Sequence, residues 1–497
     1  MILRWIVLCL MVTSAAACVV DIGPPRNLRG ISIVSDINRA DTIDARPITP
    51  ILIQISDSTG SLNETVTVTI EGIPTGALDG SLGMYPLDEF GNPTTGLSLR
   101  NDGQASFRVM FGQRAGQAAV VVSVPELSLA DTLWFTVRPG APARVTPLPV
   151  DAAVLVGGSY QQSATVLDRA GNERELSSPL TFSALDPAAA VSAGGQVTGL
   201  AYGRARIKVA YEAMTATAMV SVVPTGRLAT VLLPSALGEL TTVAVLGTDG
   251  SGLRRYPTPQ NASAAVWSAD ATRIYYVGTP RTGIQTLRIY SLTLADGAST
   301  PLIQDTVSAL SGVNLATPAV SLDGAWSYFT TLREFFSDPP SGDIWRVHPD
   351  GTGLARLVIG GAGSPVRTSP SPSPDGTRLA YVEGGSESAN YVKILDLQSG
   401  STVTIPVPGA AEIRWSPTGD RIAIKNGTGV LYVMNVDGSQ LTQLSPPTSY
   451  FIGLDWSRDG HWIVANLGGV PTILEPTTTG LRLPLSIPGV GDSWSPQ

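Results

Sequence analysis

The chain has 497 residues, 43% hydrophobic and only 14% charged, with a formal charge of −8; this excludes an intrinsically disordered chain and a charge-laced coiled coil. No basic run occurs, so no nucleic-acid partner is expected. Gly (52) and Pro (38) are frequent enough to punctuate many short strands, and the length suits about three domains. Basic charge is nearly all arginine, since Lys208, Lys393 and Lys425 are the only lysines.

Both cysteines, Cys9 and Cys18, fall within the first 18 residues, so the rest of the chain has neither a disulfide nor a thiolate metal site. Arg4, the apolar run Trp5 to Val12 and the small residues Ser14-Ala15-Ala16-Ala17 read as an export signal over 1–17. The apolar run is too short to span a bilayer as a mature helix. With Cys18 at the cleavage point, the segment resembles a bacterial lipoprotein signal, although Ala15 stands where Leu is usual. Ordinary cleavage after Ala15-Ala16-Ala17 is the competing reading. The resemblance implies that Cys18 is acylated and that the exported chain is lipid-anchored at the cell envelope, on the outer membrane or cell surface.

A linker over 18–26, with Pro24-Pro25, leads into strand-and-turn sequence that runs to about residue 224. Residues 27–141 alternate apolar and polar positions, as in Ile51 to Ser56 and Val66-Thr67-Val68-Thr69-Ile70. They resemble a divergent Ig-like β-sandwich, and Asp88-Glu89-Phe90-Gly91-Asn92-Pro93 is similar to a turn of invasin-type repeats. Residues 142–224 carry Leu155-Val156-Gly157-Gly158-Ser159, the turn Asp168-Arg169-Ala170-Gly171-Asn172, Gly195-Gln196-Val197-Thr198-Gly199 and Gly203-Arg204-Ala205-Arg206-Ile207. In that order they resemble a bacterial Ig-like domain of group 2. The turn is expected to close a hairpin, with Gly or Asn taking positive φ.

The C-terminal part repeats itself. The element Trp-Ser-Pro-Asp-Gly recurs as Trp267-Ser268-Ala269-Asp270-Ala271, Ser321-Leu322-Asp323-Gly324, Ser373-Pro374-Asp375-Gly376, Trp415-Ser416-Pro417-Thr418-Gly419 and Trp456-Ser457-Arg458-Asp459-Gly460. A shortened copy, Trp494-Ser495-Pro496-Gln497, ends the sequence. Successive copies lie 53, 52, 43, 41 and 38 residues apart, periods that suit one four-stranded propeller blade each. Residues 225–497 thus resemble the TolB-like, WD-like β-propellers. The fold class expected is all-β: two Ig-like sandwiches followed by a six-bladed propeller. Trp494-Ser495-Pro496-Gln497 read onto Thr225-Gly226-Arg227-Leu228-Ala229 matches the pattern of Trp415 to Ala423. Residues 491–497 are therefore expected to close the ring beside Leu228.

Little chemistry is legible. His348 and His461 are the only histidines, both in turns, and are expected to be exposed rather than ligands. There is no P-loop, nucleophile elbow or Gly-rich dinucleotide loop, and most Asp residues belong to Asp-Gly turns. No catalytic residue, metal or cofactor is expected. Arg333, Phe335 and Phe336 are a candidate partner-binding loop, since paired aromatics beside an Arg suit a hot spot. The expected function is non-enzymatic: the propeller binds an envelope protein or surface glycan, and the Ig-like modules act as spacers. A carbohydrate-active or other hydrolase or lyase with a channel site, and a purely structural surface protein, are the alternatives. Three or more Asp, Glu or His converging in the channel would favour the enzyme.

Overall fold

The computed structural model describes residues 30–496 except 36, 38, 58–59, 62–65, 74–82, 102, 235–239, 280–285, 305–306, 311, 333–341, 360–365, 385–389, 448, 450, 478–480 and 486–489. Cys18 and the export signal lie outside the described residues, as does the candidate loop of Arg333, Phe335 and Phe336. The described chain is built of strands and two short 3-10 turns. It divides into two compact units.

The first unit takes the described residues up to Arg144 together with Val166–Leu176. Its strands form two five-stranded sheets. In one, Ile51–Asp57 lies between Gly30–Ile33 and Gln104–Phe111. In the other, Gly116–Val124 lies between Leu129–Arg138 and Val66–Ile73. Every second residue points into one shared core: Ile51, Ile53 and Ile55, Phe107, Val109 and Phe111, Val120, Val122 and Val124. That period of two is what a strand with one dry face requires. The Asp168–Asn172 turn belongs to this unit. Asp168, only 3% exposed, accepts the Gly140 amide at 2.9 Å, and Asn172 accepts the Ala115 amide at 2.9 Å. Arg169 pairs with Asp44.

The second unit begins with a smaller all-β module. Its four-stranded sheet pairs Asp151–Leu155 in parallel with Met214–Val223, which in turn pairs antiparallel with Gly203–Tyr211. The core here is small: Val154, Ala189, Val197, Ala205, Ile207 and Val220.

Six four-stranded antiparallel sheets follow, named here I to VI. Sheet II starts with Asn261–Trp267, sheet III with Asn314–Val320, sheet IV with Val366–Pro372, sheet V with Ala410–Trp415 and sheet VI with Phe451–Trp456. Sheet I is made from both ends of the region. Val490–Trp494 pairs with Arg227–Leu232, Leu228 opposite Trp494, and Thr242–Gly247 and Arg254–Pro257 complete it. The first strands touch one another in sequence from II to VI, and Val490–Trp494 touches both VI and II. Leu228 thus pairs with Trp494 in sheet I.

The smaller module shares a core with sheets VI and I. Val223, with partly buried Ala153 and Leu155, packs against Trp462, Leu483 and Trp494. Ser221 donates its hydroxyl to the Pro484 carbonyl at 3.0 Å.

Candidate functional site

Each repeat turn is held by its own serine. In sheets II, III, IV and VI the hydroxyls of Ser268, Ser321, Ser373 and Ser457 donate to Asp270, Asp323, Asp375 and Asp459 at 2.5–2.6 Å. The same oxygens accept the amides of Arg273, Trp326, Arg378 and Trp462 at 2.9 Å. Sheet V has Thr418 at the Asp position, and Ser416 turns instead to Asp420 at 3.0 Å. These bonds hold the Asp375 carboxyl down at about 2, with Ser373 the largest influence. The Asp270 and Asp323 carboxyls are lowered for the same reason.

With the turns fixed, the residues around Ser take set places. The residue after each Ser forms a collar: Ala269, Leu322, Pro374, Pro417, Arg458 and Pro496. The residue two before each Ser forms a ring below: Val266, Ala319, Ser371, Arg414, Asp455 and Ser493. Collar and ring line one cavity of about 140 Å³. A second cavity, about 300 Å³, continues along the first strands and shares Val266, Arg414, Asp455 and Ser493 with the first. The two cavities thus adjoin, and together they are called the channel. Its wall is small or apolar on sheets II to IV and charged on V and VI.

The tryptophans between sheets are fully engaged. Trp267 donates its indole N–H to the Ser493 carbonyl at 3.2 Å, Trp456 to that of Arg414 at 3.0 Å and Trp415 to that of Gly419 at 3.2 Å. An arginine from the preceding sheet covers each ring: Arg227 over Trp267 at 5.1 Å, Arg378 over Trp415 at 4.9 Å, Arg421 over Trp456 at 5.2 Å. A planar guanidinium suits this place better than a lysine ammonium.

Four charged side chains face the second cavity: Glu412, Arg414, Lys425 and Asp455. Asp455 accepts the Trp456 amide at 2.9 Å, the Ser493 hydroxyl at 2.7 Å and the Trp494 amide at 2.9 Å. It thus staples the closing strand to sheet VI. Burial nonetheless pushes the Asp455 carboxyl above its ordinary range, against the pull of Arg414 and these donors. Glu412 lies 3.0 Å from Lys425 and 3.3 Å from Arg414. Burial raises its carboxyl too, but the two cations outweigh it and hold it below the usual range.

Two carboxylates therefore border the second cavity, and among the described residues no three His, Cys, Asp or Glu are grouped to hold a metal ion. His461 is exposed, 3.3 Å from Asp459. His348 corrects the expectation of an exposed turn residue. It is half-buried, stacked on Trp326 at 3.7 Å, and its Nδ1 lies 2.8 Å from the Ala325 carbonyl. Turn sequence alone does not reveal the flat neighbour that covers it. The channel residues escaped sequence reasoning although a signal existed. Arg414 and Asp455 stand immediately before the repeat tryptophans, where the other copies carry Val, Ala or Ser.

No family model matches the chain. The uncharacterized protein Atu1656 of Agrobacterium fabrum is 28% identical over 169 residues, which are 32% of this chain and 52% of that protein; the chain thus spans about half the length of this curated relative. Among solved structures, TolB from Acinetobacter baumannii overlaps with a TM-score of 0.46 at 18% identity, covering 64% of this chain and 83% of that one. A candidate TolB from Agrobacterium tumefaciens gives 0.31 at 16% identity, over 72% and 96%. An oligogalacturonate lyase in complex with manganese gives 0.35 at 14% identity, over 62% and 96%. The neighbours thus include TolB-type proteins and an enzyme, and overlaps of this size do not choose between them. No helix among the described residues is long and apolar enough to cross a membrane.

Proposed function

We propose that this chain is a non-enzymatic cell-envelope lipoprotein whose C-terminal part, 225–497, is a six-bladed TolB-like propeller that binds a polypeptide segment at its channel. In this reading 27–141 and 142–224 are Ig-like modules, and Cys18 carries the lipid. The observation that carries the binding role is the collar. Leu322, Pro374, Pro417 and Pro496 present an apolar rim above a narrow cavity with one charged wall. Such a rim suits an extended chain whose side chains alternate between dry and polar contacts.

Protein is favoured over glycan because the tryptophan faces that would stack on sugar rings are already covered by Arg227, Arg378 and Arg421. The enzyme reading would need Asp455 free to move a proton, yet each of its oxygens already accepts a bond from Trp456, Ser493 or Trp494.

The test is photo-crosslinking in intact envelopes. A photoreactive residue at Leu322, 42% exposed on the collar, is expected to capture a protein. One at Val403, 59% exposed on the outer strand of sheet IV, is expected not to. Capture only at Val403 would sink the channel role. Mass spectrometry of the mature N-terminus is expected to find acylated Cys18, and an unmodified thiol there would end the lipoprotein reading.

A further inference from the structure

Sheet V places an ion cluster where the channel can reach it. Glu412 and Arg414 sit two residues apart on one strand and so share a face. Lys425 is the register partner of Glu412 on the next strand. One carboxylate therefore serves two cations, at 3.0 Å from Lys425 and 3.3 Å from Arg414. All three side chains are largely buried, with 18–19% of their surface exposed. They border the 300 Å³ cavity, whose other wall includes Ala264, Thr317, Pro318 and Gly453.

Asp455 borders the same cavity, but its oxygens accept from the Trp456 amide, the Ser493 hydroxyl and the Trp494 amide, and the direct ion pairs of Arg414 and Lys425 run to Glu412. Sheet IV offers a contrast. Arg367 and Lys393 also share one carboxylate, Glu383, at 2.9 and 3.3 Å. There the Lys393 ammonium finishes on the Thr404 hydroxyl at 2.8 Å, and none of the three lines either cavity; in sheet V Arg414 spends one N–H on the Ile413 carbonyl at 2.9 Å and still lines both cavities. Two partly buried cations that share one direct carboxylate partner keep N–H donors that a further anion can satisfy.

We infer that Arg414 and Lys425 form a carboxylate-binding subsite at the inner end of the channel, which takes a carboxylate of the polypeptide segment bound there. The inference rests on the channel reading above. Arg offers paired N–H donors and Lys a mobile ammonium, so together they match the two oxygens of a carboxylate. The carboxylate can come from a free chain terminus or from an acidic side chain.

The test uses the full-length protein and a decapeptide of Gly, Ser, Pro and Leu in three forms: free acid, C-terminal amide, and amide with one internal Glu. Calorimetry is expected to show the free acid or the Glu peptide binding at least about tenfold tighter than the neutral amide. Whichever form gains identifies the source of the carboxylate. Lys425→Gln, which leaves Glu412 paired with Arg414, is expected to abolish the gain, and Lys425→Arg to keep it, with thermal unfolding confirming that both variants fold. Equal binding of the three peptides, no binding of either acid at about 1 mM, or full discrimination retained in Lys425→Gln would overturn the subsite. If crosslinking at Leu322 persists while the peptides fail to discriminate, the subsite alone falls. If Leu322 captures nothing, the channel role falls with it.

Discussion

Arg378 lies over the Trp415 ring, and its own amide is held by Ser373. One residue thus links a turn to the wall between two sheets. Replacing it with Ala is expected to cost about 1 kcal/mol through lost stacking and lost packing of the stem. Lys should recover only part of this in chemical denaturation. Ser373→Ala should cost more, about 1–3 kcal/mol, because the part-buried Arg378 amide loses its acceptor and Asp375 keeps only its Thr377 donors. The turn aspartates set the acid limb. Their carboxyls are lowered in the fold, so their stabilisation is full above about pH 4 and is lost as pH falls toward about 2, the value reached by Asp375. Asp455, raised by burial, acts with the opposite sign and is relieved as it gains a proton. Melting temperature is therefore expected to hold down to about pH 4 and drop below it, and Asp375→Asn should make that drop shallower. An unchanged acid limb in that variant would contradict the assigned role.

The first strands of the sheets share a defect at one position. Three residues before the repeat tryptophan site, Ala264, Thr317, Ser369 and Gly453 have φ of 52, 48, 53 and 67°. The ladder shifts there in sheets II, III, IV and VI. A bulge turns the strand and re-aims the following residue, and that residue leads to the ring of Val266, Ala319, Ser371 and Asp455. Only Gly453 takes this conformation without steric cost. Ala264 is exposed, so Ala264→Gly removes strain while losing little burial. It is expected to stabilise by about 0.5–1 kcal/mol in urea unfolding, the relief of strain exceeding the extra freedom of Gly in the unfolded chain. A loss of stability would mean that the bulge is not strained. None of this was legible from propensity, because Ala and Thr give no sign of a left-handed backbone.

One strand pairing joins the two ends of the sheet assembly, Val490–Trp494 with Arg227–Leu232. Trp494 is 6% exposed and pairs with Leu228, and Trp267 donates to Ser493 next to it. Gly226 lies against the Trp494 indole so closely that a methyl there would come within 2.6–2.7 Å of the ring. Deleting 491–497 removes a strand, a core tryptophan and the staple to Asp455 together. It is expected to cost well over about 3 kcal/mol, the range for losing one buried Trp, and to leave the Arg227–Leu232 edge of sheet I unpaired. An unaltered melting curve for the truncated protein would contradict closure. The shared core of Val223, Trp462 and Trp494 extends the consequence to the small module before sheet I.

The six-fold recurrence of Ser with its turn residues, and the alternation of apolar positions, were determined by the sequence alone. They are local patterns, and the hairpin and pleat that satisfy them are local as well. The first residue at which this failed was Asp168: its turn reads as a simple hairpin, yet its carboxylate reaches Gly140. Tertiary structure decided which side chains meet. Arg227 reaches Trp267 and Asp455 reaches Trp494 only because successive sheets are packed side by side. Glu412, Arg414 and Lys425 share a face through the register of one hairpin, but they border a cavity only because Val266, Asp455 and Ser493 of other sheets stand across from them. That convergence depends on distances across the assembly, which no spacing along the chain encodes.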